Sequence, residues 1–302
     1  MAISLEGKLV IAISSRALFD LDESNKVFEQ EGEAAYTEYQ IQHENEMLSA
    51  GVAFPLIKRL LELRHPETGE ALVEIILISK NDPNTGLRVF NAIEEYGLGI
   101  TRAAFTRGRT PYKYLQSFAA DLFLSANTED VKLALANGHA SAAIYKGSYI
   151  EQIEASGEIR IAFDGDAVLF SDEAERVFQE GGLAAFKQHE TEKSEEPLGA
   201  GPFKSFLAAL NTLQKIFADQ KEKPIRTALV TARDAPAHKR AIKTLRAWGV
   251  SVDEAFFLGG LDKAAVLESF QPHIFFDDQQ TYCLSASKVV PTGHVPSGVK
   301  NI

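Results

Sequence analysis

Asp164 and Asp166 stand one residue apart where the apolar run "RIAF" (160–163) ends. Two acids beside a strand-like stretch carry a desolvation cost that chemistry would explain. Three later positions in the same half also follow short apolar runs: Thr231 after "RTALV", Lys263 after "EAFFLGGLD", and Asp277–Asp278 after "HIFF". A parallel α/β sheet gathers the carboxyl ends of its strands at one crevice, so these residues are expected to converge. Together they form the inventory for phosphoryl transfer to an aspartate. One carboxylate attacks phosphorus, a second acid protonates the leaving oxygen, and a cation with oxygen ligands, Mg²⁺ by preference, brings the anions together. A hydroxyl and an ammonium hold the remaining phosphoryl oxygens. Singly, each residue has an ordinary explanation: Asp277–Asp278 as a solvated helix N-cap pair, Thr231 as a cap, Lys263 as a surface lysine.

What argues against these ordinary explanations holding all at once is a second copy of the pattern without the chemistry. Residues 11–36 laid over 161–186 share Ile, Ala, Ala, Asp, Glu, Val, Phe, Gly, Ala and Ala, and Tyr36 lies over Phe186. After a two-residue shift, "LISKND" (77–82) lies over "LVTARD" (229–234) and "DLFLSA" (121–126) over "HIFFDD" (273–278). The first copy carries Ser14 for Asp164, Arg16 for Asp166, Ser79 for Thr231, Pro111 for Lys263 and Ser125–Ala126 for Asp277–Asp278. An internal duplication explains this, with the halves meeting near residue 150. Residues 1–150 then form a disarmed half that shapes a pocket or binds a nucleotide, and 151–302 the catalytic half.

The elements that must position these residues follow from the alternation of apolar runs with helical spacing. Strands are expected at 159–163, 226–230, 254–258 and 273–276. Helices are expected over "DEAERVFQEGG", "KSFLAALNTLQKIFADQ", "AHKRAIKTLRAWG" and "KAAVLESF". Near-continuous apolar strands between helices indicate parallel sheets covered on both faces. The fold class is therefore α/β, two tandem Rossmann-like parallel-sheet domains. The long polar span 171–225 adds a small helical cap in the second.

Composition narrows the partners. A net charge of −11 over 302 residues speaks against a nucleic-acid polymer. The apolar run near the N-terminus has no basic leader, so a signal peptide is not expected, and no run is long enough for a membrane span. The single Cys283 reads as a small buried filler and fits a reducing, cytoplasmic compartment. A homo-oligomer is compatible with this reading.

The motif set, "DGDAVLFSDE" with "LVTAR", Lys263 and "PHIFFDDQ", resembles the haloacid dehalogenase-like phosphatases. More closely, with "IAISSRALFDLDE", "GLRVFNAIEEYGL" and "KTLRAWG", the chain resembles the cytosolic 5′-nucleotidases of type I, the AMP-preferring group, from about residue 8 to about residue 298. The resemblance implies Mg²⁺-dependent hydrolysis of nucleoside 5′-monophosphates. Asp164 would be the nucleophile and Asp166 the general acid and base, with Thr231 and Lys263 holding the phosphoryl group. Asp164, Asp277 and Asp278 would hold the metal, with Asp166 through its main-chain carbonyl. Candidates to contact the nucleoside are Arg16, Phe19, Asn81, Arg107 and Tyr112. Two alternatives stay open: a phosphatase for another small ester such as a sugar phosphate, and a non-catalytic nucleotide-binding protein.

Overall fold

The computed structural model describes residues 4–148 and 157–301; the junction expected near residue 150 lies outside them. The first half contributes strands β1 (Leu9–Ile13), β2 (Val73–Ser79), β3 (Arg102–Phe105), β4 (Leu122–Ser125) and β5 (Ser141–Ile144). Its helices are α1 (Ser15–Leu18), α2 (Asp22–Gln42), α3 (Phe54–Glu62), α4 (Pro83–Glu95) and α5 (Thr128–Ala136). The second half contributes β6 (Ile159–Phe163), β7 (Ile225–Thr231), β8 (Glu254–Phe257), β9 (Ile274–Asp277) and β10 (Thr292–His294). Its helices are α6 (Glu173–Glu192), α7 (Lys204–Ile216), α8 (His238–Ala247), α9 (Ala264–Phe270) and α10 (Gln280–Ala286).

Each strand expected from the second half is present, β6 with the expected bounds and the other three with ends shifted by one residue. The central strands are buried along their whole length, as in "LVIAI" of β1 and "VEIILIS" of β2. That pattern belongs to parallel strands with helices on both faces.

Instead of two separate sheets, the strands form one ten-stranded sheet in the order β3-β2-β1-β4-β5-β10-β9-β6-β7-β8. Every neighbouring pair is parallel except β5 with β10, which pair antiparallel through Ile144–Gly293 and Ala143–His294. A Cβ at Gly293 would sit 2.9 Å from Phe276 Cδ1 and 3.1 Å from Ala142 Cβ, so only glycine lets this seam close. The core runs through the seam: Leu9, Ile11 and Ile13 of β1 share one buried cluster with Ile159, Ile161 and Phe163 of β6. Phe163, Phe203, Phe206 and Phe276 pack ring against ring in it, with centroids 4.8 to 6.4 Å apart.

Because the seam is antiparallel, the carboxyl ends of β1, β2 and β4 point to one edge of the sheet and those of β6, β7 and β9 to the opposite edge. The two crevices are also separated by five strand spacings, about 24 Å.

The cap expected only in the second half has a counterpart in the first. The long helices α2 and α6 both follow the first strand of their half, and each is broken by a glycine at positive φ, Gly32 (85°) and Gly182 (70°). Among the described residues no helix is long and apolar enough to cross a membrane.

A buried cluster shared by both halves predicts one cooperative transition. Trp248, in the second half, reports locally by fluorescence, while far-UV circular dichroism reports on helices of both halves. Their urea curves are expected to coincide; separated midpoints would show that the halves unfold independently.

Candidate active site

Asp164 follows β6, its backbone N–H donating to the Phe276 carbonyl of β9 at 2.8 Å. Asp277 closes β9, and Asp278 follows it. These three carboxylates are buried and offer oxygens within 4.8 Å of one another. Lys263, 1% exposed, precedes α9 and donates to Asp164 Oδ1 and Asp277 Oδ2, both at 2.6 Å. Its ammonium also lies 4.5 Å from the Tyr282 ring centroid. The structure thus brings Asp164, Lys263, Asp277 and Asp278 together from four sequence positions. Burial of the acid pair and of the lysine rules out the solvated-cap and surface-lysine readings.

Thr231, the last residue of β7, completes the crevice. Its Oγ1 accepts from the Arg233 N–H at 3.3 Å, which leaves the hydroxyl hydrogen to donate. Gly165 makes room for it, since a Cβ there would lie 3.1 Å from Thr231 Oγ1. The turn after Asp164 is tight, with Ala167 at φ 58°, a left-handed conformation costing a non-glycine residue about 1 kcal/mol.

Three carboxylates share one ammonium. Burial pushes the Asp278 carboxyl up to about 9, and the Asp164 and Asp277 charges add to the rise. Burial raises Asp164 too, to about 7, with Lys263 opposing and Asp277 adding. Burial also works against the charge of Lys263, but Asp164 and Asp277 outweigh it and hold the ammonium well above the ordinary lysine range. Asp278 Oδ1 is buried without any hydrogen-bond partner. The Asp278 carbonyl, by contrast, is held by His294 Nε2 and Asn301 Nδ2, both at 2.9 Å. An orphaned carboxylate oxygen in an acid-rich, all-oxygen cluster is what a hard divalent cation fits.

Asp166 stands apart from this cluster. Both its oxygens are taken by Arg233, whose Nε and Nη2 donate at 2.8 and 2.7 Å, so its carboxylate is not among the metal-ligand group. Arg233, 3% exposed, also pairs with Glu190 of α6, which is fully buried and accepts from Arg240 Nη1 at 2.8 Å. The chain Asp166–Arg233–Glu190–Arg240 ties the acid to the cap helix. Sequence reasoning did not single out Arg233, Glu190 or Arg240. The only local signal is an arginine two residues beyond Thr231, and its partners lie 67 and 43 residues away.

The nucleoside-contact candidates are elsewhere. Arg16, Asn81 and Arg107 line a cavity of about 390 Å³ in the first half, at the opposite edge of the sheet. Arg16 therefore lines the first half's own cavity and does not reach across to the Asp164 crevice. Phe19 is fully buried, stacked on Tyr96 at 5.8 Å and packed on Phe54, with no face left for a base. Tyr112 packs against the cluster of Val10, Ile76 and Leu115. Cys283 is buried, its thiol pushed up by burial and its Sγ 3.4 Å from the Asp277 carbonyl, consistent with a filler.

The 5′-nucleotidase family pattern matches residues 1–302. Human cytosolic 5′-nucleotidase 1B is 41% identical over 291 residues, covering 93% of this chain and 47% of that protein. The chain thus spans about half the length of this curated relative. No solved structure matches the chain.

Two outcomes follow from the charge balance. The Asp278 carboxyl titrates at 3.8 in the unfolded chain and at about 9 when folded. Its contribution to stability is whole below the lower value and is lost as pH rises toward the upper one. Cation binding needs ionised carboxylates, so it offsets that loss increasingly at higher pH. Melting temperatures in chelator are expected to fall with pH over this window and to recover with Mg²⁺; Asp278→Asn flattens the fall, and an unchanged slope would refute the assignment. Secondly, Arg233→Met leaves the fully buried Glu190 with one cation fewer and should cost about 3–5 kcal/mol by urea unfolding. A loss below about 1 kcal/mol, the scale of a surface pair, would show that this pair is not a buried support.

Proposed function

The chain belongs to the 5′-nucleotidase family, and on that premise we propose that it is a Mg²⁺-dependent hydrolase of nucleoside 5′-monophosphates, AMP foremost, yielding nucleoside and phosphate. The observation that carries the reading is Asp164 held by the Lys263 ammonium beside Asp277 and Asp278. A buried carboxylate is there presented next to a cationic donor and to ligands for a hard cation.

Asp164 is the nucleophile. Asp166 first takes up a proton from solvent and frees one of its two oxygens from Arg233. The Asp164 oxygen then bonds to phosphorus as the bond to the 5′-oxygen breaks, and the leaving oxygen takes that proton from Asp166. Water then attacks the phosphorus of the aspartyl-phosphate, giving a proton to Asp166. The bond to Asp164 breaks and phosphate leaves. Thr231 donates its hydroxyl to a phosphoryl oxygen, and Lys263 offsets charge as it spreads over the equatorial oxygens. Arg233 fixes the direction of the Asp166 carboxylate and is a positioning residue. Asp164, Asp277 and Asp278 would hold Mg²⁺, with the Asp166 main-chain carbonyl; when bound, the ion supplies charge neutralisation between carboxylates and phosphate.

The reading includes a cytosolic location, supported by the human relative's, and an origin of the two halves by duplication. Matched features support that origin. Arg88 donates to Gln40 Oε1 at 3.1 Å where Arg240 donates to Glu190, and the bridges Phe19–Ala50 and Phe170–Ala200 recur.

Phosphate release over a panel of nucleoside monophosphates and sugar phosphates tests the proposal. AMP turnover is expected to disappear on chelation, to return with Mg²⁺, and to fall at least about a thousandfold in Asp164→Asn with circular dichroism unchanged. Turnover by Asp164→Asn near the wild-type rate would refute the nucleophile. Indifference between nucleotides and sugar phosphates would refute the substrate class.

A further inference from the structure

The 390 Å³ cavity of the first half is of ligand size. It lies at the carboxyl ends of β1, β2 and β4 and is covered by α2. Position for position it matches the Asp164 crevice with the acids of that cluster replaced. Ser14 stands where the second half has Asp164, and Ser125–Ala126 stand for Asp277–Asp278. Arg16 stands for Asp166 and Asn81 for Arg233.

That exchange has a physical consequence. In the second half Asp166 and Arg233 satisfy one another. In the first half both positions carry donors, and Arg16 Nε and Asn81 Nδ2 are both buried with no hydrogen-bond partner. The Tyr36 hydroxyl donates to Asn81 Oδ1 at 3.1 Å, which fixes the amide with its NH₂ as the free end. The remaining charges of the lining are committed. Lys80 pairs with Asp130 at 2.8 Å and Arg107 with Glu33 at 3.6 Å, while Asp82 caps α4 by accepting from the Thr85 N–H at 3.0 Å. Arg16 reaches Asp22 only through Nη2, at 3.5 Å. Ser14 and Ser125 accept backbone N–H bonds at 3.2 and 3.1 Å and keep their hydroxyl hydrogens to donate. The acids of this lining, Glu33, Asp82 and Asp130, are held by other groups, and none of them meets Arg16 Nε or Asn81 Nδ2; buried donors without an acceptor are costly.

We propose that the first half holds a metal-independent, non-hydrolytic binding site for an organic phosphate monoester. Arg16 and Asn81 receive the phosphate, with Ser14 and Ser125 as hydroxyl donors. The half-exposed Phe28 ring, edge-on to Tyr36 at 5.8 Å, faces the organic part. With serine at the nucleophile's position, and no acidic cluster of the metal-binding kind in this half among the described residues, the ester is held and not cleaved. Because the two crevices open at opposite edges of the sheet, both can be filled at once.

The test uses the full chain carrying Asp164→Asn, in chelator, with AMP and inorganic phosphate as calorimetric probes. AMP is expected to bind saturably with one equivalent, and inorganic phosphate more weakly. Arg16→Ala and the near-isosteric Asn81→Asp, which places an acid among the donors, should each weaken AMP binding by about tenfold or more. Asp278→Asn should leave that binding in place. Thermal unfolding checks the fold of Arg16→Ala, and Asn81→Asp keeps the test decisive if that variant is unstable. No saturation at millimolar AMP would overturn the proposal. So would binding that Asp278→Asn removes and Arg16→Ala does not, or inorganic phosphate binding as tightly as AMP. Phosphate release with Mg²⁺ reads the Asp164 chemistry separately, so the two proposals fail independently.

Discussion

The contact on which the second crevice depends is the buried ammonium of Lys263 between Asp164 and Asp277. Three carboxylates so close together repel one another, and each has lost the water that would have stabilised its charge. One lysine relieves part of this by placing a donor on two of them. The third, Asp278, is left with an unpaired oxygen. The fold thus carries an electrostatic deficit at this crevice, kept in place because β6 and β9 are adjacent parallel strands and α9 delivers the lysine to their ends. Burial of apolar side chains elsewhere, the cluster of Phe163, Phe203, Phe206 and Phe276 among them, offsets it.

The antiparallel seam between β5 and β10 is the second constraint. Had the two five-stranded sets joined in parallel, their crevices would share an edge and the first half would border the acid cluster. Gly293 permits the close approach at the seam, and the opposite orientation follows. The halves therefore share a core and keep separate crevices. Cooperation between them, if a ligand occupies each, would pass through the sheet and the core that both halves share.

Both halves also secure their long helix by one device. An arginine from the helix after the second strand reaches into α2 or α6 and bonds both a side chain and a main-chain carbonyl. Arg88 does so with Gln40 and Glu46, and Arg240 with Glu190 and Glu196. In the second half the helix residue is charged, so Arg233 can be recruited as well, and through it Asp166. In the first half it is neutral, and Asn81 with Tyr36 takes that place. The charged version holds the Asp166 carboxylate by both oxygens, whereas the neutral version leaves donors uncommitted.

Much of this was legible from sequence because it depends on local pattern. Apolar runs with helical spacing between them give parallel strands, and strand ends in such sheets converge, so Asp164, Thr231, Lys263 and Asp277–Asp278 could be named without coordinates. The internal repeat of pattern could be read the same way, including which half lacks the acids. Sequence could not decide how the two copies join, because a strand's pattern of burial is the same whichever neighbour it pairs with. Only the tertiary structure put β5 against β10, made one sheet of two, and turned Arg16, Asn81 and Arg107 away from the acid cluster. Nor could sequence reveal Arg233 and Glu190, whose roles rest on a buried ion pair between residues 43 apart. An ion pair of that kind is fixed by where folding brings two side chains, and neither residue type signals it alone.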